Sequence, residues 1–146
     1  MSSPKPPQAS PDHTEAQFYE ALQQADIERL MAVWADDEEI VCIHPGGQRL
    51  VGAGAIRAAF DAMFAQGGLP VFPERVRRVQ TLDSAVHSVL ERVQALDPDG
   101  EVRTGWTLAT NVYVNTPLGW RLVCHHASPS AARELAEVTE QPVLLH

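Results

Sequence analysis

EVRTGWTLATNVYVNTPLGWRLVCHHA, residues 101–127, decides the fold. Two long runs rich in Thr, Val, Tyr and Trp flank Asn115-Thr116-Pro117-Leu118-Gly119, a turn short enough for a hairpin. Strands are expected over 101–115 and 119–127. Upstream, Asp97-Pro98-Asp99-Gly100 and Leu82-Asp83-Ser84 mark two more turns, which separate strands over 73–82 and 85–96. Four successive strands with tight connections make a meandering antiparallel sheet.

The first half of the chain has a different period. Thr14 and Gln17 stand at capping-box spacing, and Phe18, Ala21, Leu22 and Ala25 follow at i, i+3, i+4 and i+7, so a helix is expected over 13–24. Asp26 caps a second helix with an apolar face of Ile27, Leu30, Met31 and Trp34. IVCIH (40–44), closed by Pro45-Gly46-Gly47, reads as a buried strand and turn, and Arg49-Leu50-Val51 as a brief second strand. Ile56, Ala59, Phe60 and Met63 mark a third helix over 53–66, stopped by Gly67-Gly68. Helices segregated from a run of antiparallel strands mean an α+β fold. Residues 1–11, rich in Pro and Ser, are expected to form a flexible arm, 12–128 the domain and 129–146 a C-terminal extension, in which SAARELAE (130–137) reads as a short helix.

Composition narrows the function. With 146 residues, 45% hydrophobic and 21% charged, the chain suits one compact domain with a real core. Its net charge of -8 argues against nucleic acid and against anionic membranes, both of which require a basic face. The proline-rich start lacks the apolar core of a leader, and no run nears the ~20 apolar residues of a membrane span, so a cytoplasmic location is expected. Cys42 and Cys124 sit in apolar runs without a CxxC partner and read as small buried hydrophobes, with no metal site. Gly52-Ala53-Gly54-Ala55-Ile56-Arg57 departs from the GxGxxG fingerprint at Arg57, which excludes nucleotide binding of that kind.

Alternation sorts the strand residues. Asn111 and Tyr113 share a face with Gly105, Thr107 and Ala109, where small residues beside two polar tips suit a ligand cavity. Trp106, Leu108, Val112 and Val114 form the opposite, bulkier stripe. On the last strand Trp120, Leu122, Cys124 and His126 fall on one face and Arg121, Val123 and His125 on the other. The face carrying Arg121 is taken as outer, so His126 is expected in the cavity. His87 and Glu91, four apart, share a face but lie ~13 Å apart along a strand, too far for a direct dyad.

The stretches FYEALQQADIERLMAVWADDEEIVCIHPGGQRLVGAGAIRAAF (18–60), ATNVYV (109–114) and GWRLVCHHAS (119–128) resemble the nuclear-transport-factor-two-like superfamily, and within it the bacterial SnoaL-like and ketosteroid-isomerase-like proteins. The resemblance implies a cone-shaped cystatin-like barrel, three N-terminal helices on a curved, mainly antiparallel sheet, with an internal pocket and a homodimer formed through the convex face. Ketosteroid isomerases carry a carboxylate base just before a Pro near the end of the first strand, a position filled here by His44 before Pro45. Their oxyanion-hole tyrosine falls at Phe18, with Tyr19 adjacent. His44 is therefore the candidate base, its pKa lowered by desolvation; a structural imidazole bonded to a loop carbonyl is the other reading. Tyr19, Trp34, Phe60, Phe64, Asn111, Tyr113 and His126 are the candidate ligand contacts. The expected function is cofactor-free isomerase, cyclase or hydrolase chemistry on a small apolar or cyclic metabolite, or else ligand binding or dimerisation without catalysis.

Overall fold

The computed structural model describes residues 8–131 and 137–140. The elements follow the expected order: α1 (Pro11–Gln24), α2 (Ile27–Ala32), β1 (Val41–Ile43), β2 (Arg49–Val51), α3 (Ala53–Phe64), β3 (Val71–Gln80), β4 (Ser84–Leu96), β5 (Val102–Thr116) and β6 (Gly119–Ser130). The helix expected over 130–137 falls mostly outside the described residues, and Ser130 ends β6.

α1 starts two residues before the capping-box reading. Ser10 is the N-cap, accepting from the His13 N–H at 3.0 Å, and Pro11 sits in the first turn, where its missing N–H costs nothing. Thr14 is no cap. It is fully buried, and its hydroxyl donates to the Trp120 carbonyl at 2.9 Å, tying α1 to β6. Residues 8–11 thus belong to the fold, with Gln8 bridging Gly119. Ala25, in the left-handed region at φ 53°, ends α1, and Asp26 caps α2 as expected by accepting from the Arg29 N–H.

Six strands form one sheet in the order β2-β1-β6-β5-β4-β3. Every pairing is antiparallel except β1 with β6, and the sheet stays open along β2 and β3 instead of closing into a barrel. The helices cover one face, where Phe18, Leu22, Leu30, Trp34, Ile56 and Phe60 meet small or branched side chains such as Ala85, Val89, Ala109 and Ala127. Alternation on β5 holds: Thr107, Ala109, Asn111 and Tyr113 are buried inward, and Leu108 is exposed outward.

On β6 alternation fails. The register shifts opposite Val112 and Tyr113: Tyr113 faces Leu122, but Val112 faces Cys124, so Val123 is an extra residue. The cause is a change of neighbour. Leu122 exchanges backbone hydrogen bonds with Val33 and Ala35 at 2.8 and 2.9 Å, whereas from Cys124 onward β6 pairs with β1. The bulge reverses the faces downstream. His125 points inward opposite Asn111, and His126, expected inward, is exposed opposite Thr110.

The link from α3 to β3 crosses the C-terminal end of α1 closely. Leu69 N–H donates to the Leu22 carbonyl and Gln23 Nε2 to the Val71 carbonyl, each at 2.8 Å, and a Cβ on Gly68 would lie 2.0 Å from the Gln23 carbonyl oxygen. Gly68→Ala should cost about 1–3 kcal/mol, as overpacking against backbone does. Gly54→Ala, where a Cβ meets nothing within 4 Å, should leave stability unchanged or slightly raised. Urea unfolding of the two variants checks this contrast, and equal midpoints would refute the close crossing.

Candidate functional site

Between the helices and the inner face of the sheet lies a cavity of about 480 Å³. Its wall is mostly apolar, with Phe18 and Leu22 from α1, Phe60 and Met63 from α3, Val71 from β3 and Trp106 from β5. His44, Glu91, Thr107 and His125 interrupt that wall with groups able to exchange or accept protons and hydrogen bonds.

His44 follows β1, and the Pro45-Gly46-Gly47 turn folds back so that the Gly47 N–H donates to its carbonyl at 2.8 Å. Its ring stands edge-on to Phe60 at 5.0 Å, and Nε2 lies 3.8 Å from Cys42 Sγ. Among the described residues no loop carbonyl holds the ring. Burial lowers its pKa from the ordinary imidazole value, the direction expected from the sequence. Burial likewise pushes the Cys42 thiol up to about 12, so it is no nucleophile at neutral pH. Cys42 and Cys124 are both free thiols.

Behind the cavity wall, α1 and the sheet share a buried polar network. Glu15 Oε2 accepts from the Tyr113 hydroxyl at 2.6 Å, from His87 Nδ1 at 2.8 Å and from Asn111 Nδ2 at 3.3 Å. Asn111 Nδ2 also donates to the Tyr19 hydroxyl at 3.0 Å, and Tyr19 in turn donates to Glu91 Oε2 at 2.7 Å. Thr107 donates to the other Glu91 oxygen at 2.5 Å, and His125 Nδ1 meets Asn111 Oδ1 at 2.5 Å. Burial raises the pKa of Glu91, against the two hydroxyl donors that favour its ionised form. It also raises the Tyr19 and Tyr113 phenols well above their usual value, so both stay protonated donors. His125 is driven down to about 3 by burial, with His44 and His126 adding to the effect, and its ring is neutral.

Several expected contacts take other places. Phe60 and His44 line the cavity. Tyr19, Asn111 and Tyr113 are buried as expected on the inner side, yet they hold the polar groups of the wall from behind. Trp34 is buried in the core, where its backbone bridges Leu122, and Phe64 leans on Phe60 at 5.8 Å without forming the wall. His126 is on the outer face, so the pairing of His44 with His126 gives way to His44 with His125. His87 and Glu91 do not touch, as their spacing requires. Glu15 and Tyr19, four apart on α1, reach one each. The signal in the sequence is that Glu15 and Tyr19, at i and i+4, share one face of α1 and so turn toward the sheet together. No group of three or more His, Cys, Asp or Glu among the described residues is arranged to hold a metal ion.

The depressed His125 has a consequence for stability. Between pH ~6.5 and about 3 the unfolded chain binds a proton at this residue that the folded chain refuses, so stability is full above that window and falls as pH drops through it. The loss accumulates progressively across that window. In urea unfolding from pH 7 to 4, His125→Leu should show a shallower pH slope than the parent chain, and an unchanged slope would contradict the assignment.

Comparison with known proteins agrees with this architecture. Residues 12–132 match the SnoaL-like domain family. A structure from Thiobacillus denitrificans, a proposed calcium/calmodulin-dependent protein kinase type II association domain, is 35% identical, with 86% of this chain and 99% of that one covered at a TM-score of 0.77. A proposed dehydratase of the NTF2-like family from Streptomyces avermitilis is 30% identical over 82% of this chain and 93% of that one, with a TM-score of 0.73. A ketosteroid isomerase-like protein from Erwinia carotovora atroseptica, 15% identical over 82% and 93% of the two chains, shares the fold at a TM-score of 0.66. None of the curated proteins compared matches the chain. Open mixed sheet, three covering helices and a family match across most of the sequence lead to one assignment: the chain belongs to the SnoaL-like domain family.

Proposed function

We propose that the cavity binds a small, largely apolar, ring-bearing molecule and moves a proton on it without a cofactor, His44 acting as the base. One observation carries the reading: His44, His125 and Glu91, from three different strands or strand ends, face one apolar cavity with proton affinities shifted by burial. Such convergence of perturbed titratable groups on a cavity is the usual mark of a site for proton transfer. A neutral His44 accepts a proton at pH 7, where an ordinary carboxylate is too weak a base to compete. Glu91, with its raised pKa, is a second group able to take or return one. Phe18 and Phe60 supply flat surface for a ring. Tyr19, Asn111 and Tyr113 act as positioning residues that hold Glu91 and His125. Isomerisation, cyclisation and hydrolysis remain the reaction classes, and the Streptomyces relative, a proposed dehydratase, adds elimination of water to them.

A thermal-shift screen of metabolites supplies the substrate for the test, because a ligand that binds only the folded chain raises its melting temperature. Turnover should fall as pH drops through the lowered His44 pKa, since protonation removes the base, and His44→Ala should abolish that dependence. His44→Gln should keep binding within a few fold while lowering kcat by about 10²-fold or more. Intact turnover in His44→Gln would overturn the general-base reading, and a ligand that the parent chain binds without converting would leave a binding module in place of an enzyme.

We also propose that the chain forms a homodimer through the outer face of the sheet. Val86 and Leu108, on neighbouring strands, are 41% and 42% exposed there, beside half-buried Val112 and Val114, whereas Trp106, expected on the same stripe, lines the cavity. Exposed apolar side chains grouped on one face of a lone domain, interrupted here only by Ser88 and Thr110, suit an association surface. The similarity to an association domain from Thiobacillus denitrificans supports the same reading. Light scattering on a sizing column should give twice the 16.0 kDa chain mass, and Leu108→Glu should halve it. A monomer at micromolar concentration in the parent chain would refute the dimer.

A further inference from the structure

We infer that the ligand's polar group docks on His125 as a hydrogen-bond donor, so the cavity selects uncharged, hydroxyl-bearing apolar molecules over analogues that only accept. The inference rests on the proposed binding role of the cavity, not on catalysis there. It follows from the order in which the buried network can be satisfied. Tyr19 donates to Glu91, so its oxygen has only lone pairs left for Asn111. A Glu15 oxygen, already taking the Tyr113 hydroxyl and His87, lies on the same side. The end of the Asn111 amide that faces these two acceptors must be its NH2, which supplies two N–H groups.

Its carbonyl oxygen therefore faces His125, and the 2.5 Å contact requires a proton on Nδ1. A neutral imidazole carries one proton, so Nε2 holds a bare lone pair. Among the described residues no hydrogen bond to that nitrogen is found, and the ring lines the cavity. Phe18 at 5.0 Å braces the ring in place. Glu91, receiving both Tyr19 and Thr107, presents lone pairs in the same wall. A hydroxyl on an apolar frame satisfies these acceptors. A ketone or ether of the same shape leaves them unpaired and sets lone pair against lone pair. A charged ammonium would have to give up its water to a mostly apolar wall.

Two measurements on the full chain test this. Long-range proton–nitrogen NMR of histidine-labelled protein should show His125 with a protonated Nδ1 and a bare Nε2, unchanged from pH 7 to 5. In fluorescence titrations, 2-naphthol should bind about fivefold or more tightly than 2-methoxynaphthalene or 2-acetonaphthone, the advantage of one hydrogen bond to a buried acceptor. His125→Phe should erase that preference while keeping the affinity for 2-methoxynaphthalene. A proton on Nε2, or equal binding of the three naphthalenes, would overturn the inference and leave the binding cavity standing. If none of the three binds and the His125 signals do not move, the cavity reading falls and the inference with it.

Discussion

A carboxyl group sealed between a helix and a sheet has to be surrounded by donors, and at Glu15 that requirement organises the interior. Three side chains from β4 and β5 converge on one of its oxygens. The bonds fix the rotation and height of α1 on the sheet, because a slip by one residue would carry Glu15 away from all three. They also fix Asn111, and through it both Tyr19 and His125. Stranding such a group by deleting its partners is among the costlier single changes a fold can suffer, commonly several kcal/mol. The cavity thus inherits its chemistry from a residue that never touches it.

The space itself has a separate origin. Ala85, Ala109 and Ala127 on the inner face allow the helices close approach, and Gly105 near the sheet's end leaves room that no neighbouring side chain fills. Aromatic rings from α1 and α3 then form a wall around that room. α3 contributes apolar lining, Phe60 and Met63, and no member of the polar network, so substitutions in α3 can reshape the ligand space with little effect on the network beneath.

Much of this is legible in the sequence. The element order, the Asp26 cap, the inward face of β5 and the lowered pKa of His44 all follow from period, capping chemistry and desolvation. The first three depend on residues close along the chain, and the last on the pocket position that the family resemblance implies for His44. The failures share the opposite property. Strict alternation sends His126 to the cavity, because it cannot foresee that β6 changes neighbours at Leu122. Tyr19 and Tyr113 look like ligand contacts until partners 72 and 98 residues away claim their hydroxyls. Glu91 stays hidden because strand spacing rules out contact with His87, and the bridging side chains sit on a helix far upstream. Pairings across the fold, not propensities, decide these residues.

The bulge at Val123 works as a shift of reading frame. Up to Leu122 the even-numbered side chains of β6 face the helices, and from His125 onward the odd-numbered ones do. Removing Val123 would restore plain alternation from Leu122 through Cys124 and still leave His125 inward, because the extra residue and the reversal vanish together. What would be lost is the local bend that an unpaired residue imposes on a strand. The identity of the histidine in the cavity and the curvature of the sheet around it are therefore separable properties, and a chain of this kind could change the shape of its cavity by one codon while keeping its chemistry.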